Sequence, residues 1–272
     1  MLRPRFVAAA FFSGSKGGTG KSTLAANLAI TMSQALKSNV LLIDLGIDSS
    51  QTASRTLGVV PERAGALDFL IGSINDANQL VSRSTYLPTV FVVPPGNIRS
   101  YQLAISVNES FNRWVYLINS LVMSTGSQFI IIDLPANAPT PILIPALVTS
   151  QIINVILDHA NYSEYVLREI DDTYIQPMIT QLRYRKIVNV VLNKALPGLD
   201  GVEARVRGFA HNGDVFTVPM SPIAQYLIAA MKPAILFEPK GSLASFKRAI
   251  EAITNTLTRQ VKALLTGSIG TA

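Results

Sequence analysis

Ser13-Gly14-Ser15-Lys16-Gly17-Gly18-Thr19-Gly20-Lys21-Ser22-Thr23 decides how this chain is read. An apolar run over residues 6–12 precedes it, and Leu24-Ala25-Ala26-Asn27-Leu28-Ala29-Ile30 follows with helical character. Strand, glycine-rich turn and helix, in that order, are the setting of a phosphate-binding loop. Glycines let backbone N–H groups converge on an anion with no Cβ in the way. The helix N-terminus adds partial positive charge at the same point. In this pattern Gly17, Gly18, Thr19, Gly20, Lys21, Ser22 and Thr23 surround the phosphates. Lys21 reaches the β/γ-phosphates, and the Ser22 hydroxyl ligates Mg2+.

Two further stretches support that reading. Val40-Leu41-Leu42-Ile43-Asp44 and Phe129-Ile130-Ile131-Ile132-Asp133 are continuous apolar runs that end in an acid. Such runs read as buried parallel strands. Their carboxyl ends are where open α/β sheets place ligands. Asp44 can hold a Mg2+ water or pair with Lys21, and Asp133 can hold Mg2+ through water. Pro135-Ala136-Asn137 would then sense the γ-phosphate. Further strands are expected over residues 89–93, 152–157, 187–194 and 215–219. Helices are expected over residues 52–57, 65–72, 74–81, 101–123, 224–231 and 242–265. Another covers residues 162–182, bent or broken at Pro177, and a loop with a helix covers residues 198–212. Alternating strands and helices predict an α/β fold: a mostly parallel central sheet with helices on both faces. No Pro/Gly/Ser-rich linker divides the chain, so residues 1–272 are read as one domain.

Composition removes several chemistries. Among 272 residues there is no cysteine, which excludes disulfides, thiolate metal sites and cysteine nucleophiles. The two histidines, His159 and His211, are read as surface or strand-end residues. Apolar residues make up 49% and charged residues 15%, against an ordinary quarter charged, which suggests a large buried sheet. No apolar run reaches about 18 residues, so no membrane span is expected. The N-terminal apolar run is too short for a signal peptide and leads into the loop, so a cytoplasmic protein is expected. The net charge of +6 permits contact with nucleic acid or anionic lipid. The cluster Arg183-Tyr184-Arg185-Lys186 is read as a solvated helix end, and Arg113 as exposed. In the last helix, Phe246, Ile250, Ile253, Leu257, Val261, Leu264 and Leu265 form a stripe, read as core-facing in preference to membrane-targeting.

Lys16-Gly17-Gly18-Thr19-Gly20-Lys21-Ser22 carries a second lysine inside the loop, and Ser15 stands where the general pattern has its first glycine. This deviant Walker A form resembles the ParA/MinD family of P-loop ATPases. The resemblance implies ATP and Mg2+ as cofactors and a homodimer in the ATP state. It implies Lys16 reaching the partner's nucleotide, with Lys16, Lys21 and Asp44 as catalytic residues. It implies that the Asn193 amide reads adenine, that Pro219 at the end of the last strand contacts the base, and that a partner protein stimulates hydrolysis. The family's Asp-x-Asp falls on Asp44-Leu45-Gly46, so Gly46 occupies the position of the hydrolytic aspartate. Thr52 falls on the threonine that often follows in the family. Asp48 is a possible substitute, two residues late. ATP binding is therefore better supported than hydrolysis. A ParA-type role in DNA partition, through ATP-dependent non-specific DNA binding, is the leading expectation. A MinD-like or pilus-positioning role at a membrane or protein assembly, and a nucleotide-binding structural role without turnover, stay open.

Overall fold

The computed structural model describes residues 5–47, 51–60, 64–96, 105–159, 164–198 and 201–267. In chain order the elements are β1 (Val7–Phe12), α1 (Lys21–Leu36), β2 (Val40–Asp44), α2 (Thr52–Thr56), α3 (Ala66–Leu70), β3 (Ser82–Arg83), β4 (Val90–Val93), α4 (Val107–Thr125), β5 (Phe129–Asp133) and α5 (Thr140–Thr149). They continue with β6 (Ile152–Asp158), α6 (Glu164–Ile170), β7 (Ile187–Ala195), α7 (Val202–Val206), β8 (Val215–Pro219), α8 (Pro222–Ala229) and α9 (Ser242–Thr266). The strands form one sheet in the order β3-β4-β2-β5-β1-β6-β7-β8. Among the described residues only the short edge pair β3–β4 is antiparallel, as Ser82↔Val92 and Arg83↔Phe91.

The sheet is buried on both faces, which explains why its strands read as unbroken apolar runs. Alternate side chains of one strand feed two separate cores. Ala8, Ala10 and Phe12 of β1 join Ile130 and Ile132 beneath Trp114, Leu117 and Leu121 of α4. Val7, Ala9 and Phe11 join Ile131 beneath α1 and α9. The long stripe of α9 is spent here: Leu243, Phe246, Ile250, Ile253, Leu257, Val261 and Leu264 are all buried. At about 2 kcal/mol per buried side chain, that face is worth on the order of 10 kcal/mol against the sheet. The stripe is thus core, and among the described residues no helix is long and apolar enough to cross a membrane.

Several local expectations are corrected. Residues 74–81 hold only a tight helical turn, Ala77–Leu80. Ahead of it, the Ile74 N–H and the Ser73 N–H both turn back to the Asp68 carbonyl. The Ile74 carbonyl accepts from Arg113. Arg113 itself is half-buried, with its guanidinium on the Phe69 carbonyl at 2.8 Å and over the Phe69 ring. Past α6, Pro177 does not end the helix. The chain widens to i→i+5 turns over Asp171–Ile175 and Pro177–Gln181.

α5 has no counterpart among the expected elements, and its prolines at 139, 141 and 145 oppose helix. Pro145 lacks the N–H that would bond the Pro141 carbonyl, and the Ser110 hydroxyl of α4 donates to that carbonyl instead. The other end of α5 is closed by Lys186. Its ammonium is buried and donates to the carbonyls of Leu147 (3.2 Å), Val148 (2.7 Å) and Ser150 (2.5 Å). The basic cluster is therefore not a solvated helix end at this position: Lys186 is a cationic cap on the C-terminus of another helix. Burial pushes its pKa from 10.5 down to about 8.

Candidate nucleotide-binding site

β1 ends at Phe12, and the loop that follows turns on left-handed glycines, Gly14, Gly18 and Gly20, at φ 58°, 70° and 90°. The requirement is sharpest at Gly20, where a Cβ would lie 2.2 Å from the Asn193 Nδ2. Ser13 braces the loop from below and is fully buried. Its hydroxyl donates to the Lys16 carbonyl at 2.6 Å and accepts from the Lys21 ammonium at 2.7 Å. Lys21, the first residue of α1, is thereby held folded across the loop. Ser13 was not singled out from sequence. Its only signal is its place between the strand and the first glycine.

The two strand-end acids meet. β2 and β5 are neighbours, and their register pairs Asp44 with Asp133. Both are 1% exposed. The Asp44 carboxylate accepts from the Gly46 N–H (2.9 Å), the Ser54 N–H (3.0 Å) and the Ser54 hydroxyl (2.7 Å). With most of its acceptor sites filled, Asp44 suits a role through water or through α2 better than direct ligation of a cation. The same geometry accounts for glycine at 46, since a Cβ there would lie 2.9 Å from Asp44 Oδ1. Asp48 lies outside the described residues.

Loop, acids and the far end of the sheet enclose a cleft of about 470 Å³. Gly17, Gly18, Thr19, Gly20, Lys21, Ser22 and Thr23 line it, together with Asp44, Gly46, Thr52 and Asp133. Pro135 and Ala136 line it from the loop after β5, whose Asn137 N–H donates to the Gly14 carbonyl at 3.3 Å. Asn193, Pro219, Met220, Ile228 and Phe246 also line the cleft, the last four adding apolar surface. Lys16 is exposed and does not line the cleft. Asn193 reaches the wall, with its NH2 group on the Thr19 carbonyl at 2.8 Å.

This donor set fits a nucleoside polyphosphate with a divalent cation. Glycine-cradled N–H groups and one lysine face anionic oxygens. A hydroxyl and two buried carboxylates suit a hard cation. His159 and His211 take no part. His159 follows β6 as a buried strand-end residue, and His211 pairs with Asp171 at 2.7 Å.

A mostly parallel sheet with a glycine loop at the carboxyl end of its central strand, opening a helix, defines a P-loop nucleotide-binding protein. Residues 10–269 match the profile of the CobQ/CobB/MinD/ParA nucleotide-binding domain. The chain belongs to that family and is a ParA/MinD family ATPase in kind. Solved structures agree in fold. The septum site-determining protein MinD of Pyrococcus horikoshii, complexed with Mg-ADP, superposes with a TM-score of 0.70 at 17% identity over 95% of this chain and 98% of that one. A Cyanothece McdA–ATP complex gives 0.69 at 16% identity, covering 93% and 96%. A plasmid partition protein of Borrelia burgdorferi bound to AMPPNP gives 0.68 at 13% identity, covering 97% and 100%. No curated protein sequence is significantly similar to this chain.

Proposed function

We propose that this chain is a single-domain, ATP-switched protein of ParA type that binds ATP with Mg2+, dimerises in that state and engages DNA without sequence preference. The observation that carries the reading is a cleft lined together by Lys21, braced by Ser13 at 2.7 Å, and the in-register acids Asp44 and Asp133. In this reading Gly17 to Thr23 cradle the phosphates and Lys21 neutralises them. Ser22 and Asp133 hold the cation, with Asp44 acting through water. Bound Mg2+ would neutralise charge shared by the β- and γ-phosphates. The apolar part of the lining, with Asn193 and Pro219, receives the base in this reading. The loop of Pro135, Ala136 and Asn137 hangs on the Gly14 carbonyl, so contact with a γ-phosphate moves a loop already tied to the cradle.

Lys16 supports the dimer. Lys16 is exposed and outside the lining of its own cleft, so in this reading it serves a second copy's nucleotide, as an arginine finger supplied in trans does. Hydrolysis in this reading is slow without a partner protein, because Gly46 supplies no carboxylate and its N–H is committed to Asp44. The net charge of +6 suits a polyanionic cargo such as DNA.

The test combines titration of a fluorescent ATP analogue with light scattering and DNA gel shifts, in ADP, ATP or a non-hydrolysable analogue. Dimers and DNA complexes should form only in the triphosphate states, and both should be lost in Lys21→Ala. Binding of liposomes in place of DNA at low salt, with ATP, would overturn the DNA assignment and leave the nucleotide switch standing.

A further inference from the structure

For the loop N–H groups to converge on an anion, the loop carbonyls must point elsewhere, and each needs a partner of its own. Two of them find it at the end of β7. Asn193 Nδ2 donates to the Thr19 carbonyl at 2.8 Å, and the Lys194 ammonium donates to the Gly18 carbonyl. In a regular strand, consecutive side chains point to opposite faces of the sheet, so 193 and 194 should not both reach one loop. They do so because β7 is irregular at this point. Its register against β8 slips between Leu192 and Ala195, and Lys194 takes a left-handed backbone at φ 56°. That conformation is uncommon for a side chain without a local backbone hydrogen bond of its own and costs on the order of 1 kcal/mol. Asp158, at the end of the adjacent β6, holds the same ammonium at 3.3 Å.

We propose that the β7 bulge is a clamp on the phosphate loop. Lys194 is a positioning residue that, by holding the Gly18 carbonyl, fixes the Gly18–Thr19 peptide with the Thr19 N–H toward the cleft, and Asp158 holds Lys194 in that place. The inference rests on the nucleotide-binding reading above, since it assigns what prepares that loop. It sets Lys194 apart from the other two lysines of the site: Lys21 and Lys16 are cations for phosphate, whereas Lys194 is a cation for a backbone carbonyl.

Two measurements test it on the full chain. The first is amide hydrogen exchange of residues 16–21 without nucleotide, in wild type, Lys194→Met and Lys194→Arg. The methionine variant should raise loop exchange by about tenfold or more, the worth of one hydrogen bond from a charged donor. The arginine variant should recover most of the protection. The second is affinity for ADP and for a non-hydrolysable ATP analogue in the same proteins and in Asp158→Asn. Lys194→Met should weaken both ligands by a similar factor, because the Gly18–Thr19 peptide is cradle and not a γ-phosphate contact. Asp158→Asn should weaken both by a smaller factor. Unchanged loop exchange in Lys194→Met overturns the proposal. So does tighter triphosphate binding in Asp158→Asn, which would mean that a released Lys194 moves onto phosphate. If wild type binds no nucleotide, the exchange measurement still decides the clamp, and the failure then lies with the functional reading.

Discussion

Lys186→Met isolates the buried helix cap. In the folded chain burial pushes the lysine down to about 8, from 10.5 in the unfolded chain. Below about pH 8 both states carry the proton and the term is constant. Between about 8 and 10.5 the unfolded chain keeps the proton that the folded chain has released, so stability rises with pH. Above 10.5 the term is again flat. A difference of two to three pH units at 1.36 kcal/mol each makes the rise about 3 kcal/mol, an order-of-magnitude figure. With a denaturant slope of roughly 3 kcal/mol/M, the urea midpoint moves by about 1 M. The sole tryptophan makes the assay local. Trp114 is fully buried, and its indole N–H donates to the Thr149 hydroxyl at 2.9 Å, beside the carbonyls that Lys186 caps. Urea unfolding followed by Trp114 fluorescence should give a wild-type minus variant stability difference that is flat from pH 6 to 8 and climbs from pH 8 to 10.5. Other groups titrate in both proteins and cancel in the difference. A difference that stays level across that window would refute the reasoning, because the ammonium would then not be desolvated by folding.

Three substitutions probe the site itself. Gly46→Asp puts a Cβ 2.9 Å from Asp44 Oδ1, so it should cost about 1–3 kcal/mol of stability in thermal melts, and because that contact displaces the 44–46 turn the added carboxylate should not raise steady-state ATP turnover. Faster turnover at unchanged melting would mean that the 44–46 turn re-forms around the new carboxylate. Gly20→Ala combines a φ of 90° with a contact 2.2 Å from the Asn193 amide. Calorimetry should find ADP binding weakened at least tenfold, and wild-type affinity would contradict the packing of Asn193 on the loop. Ser13→Ala removes the hydroxyl that lies 2.7 Å from the Lys21 ammonium. Nucleotide affinity should drop about tenfold, in line with one hydrogen bond to a charged group, while a circular-dichroism melt stays within about 2 kcal/mol of wild type.

The long strands and the loop are legible in the sequence because each is a local code. β1, β2, β5, β6 and β7 lie between helical layers, so most positions along them are apolar and the run declares itself. The glycines of the loop mark left-handed backbone that other residues avoid. Acids at the ends of two such runs could be placed at one edge of a parallel sheet before any coordinates were known. Their direct adjacency, Asp44 beside Asp133, required the strand order β2-β5-β1. α5 was hidden for the opposite reason. Its prolines carry a local signal against helix, and the compensation comes from Ser110, 31 residues away.

By itself, then, the sequence determined the glycine loop between β1 and α1, the acids that end β2 and β5, and the alternation of strand and helix. Tertiary structure alone decided which polar groups complete that framework. Lys186 reads as one member of a surface cluster, yet it caps α5. Lys194 reads as the residue after a base contact, yet it holds a carbonyl 176 positions earlier in the chain. Ser13 reads as a spacer, yet it aims Lys21. The physical reason is common to all three. Periodicity and backbone preference act between neighbours in sequence, whereas a buried carbonyl or ammonium must be satisfied by whatever donor or acceptor the fold brings beside it.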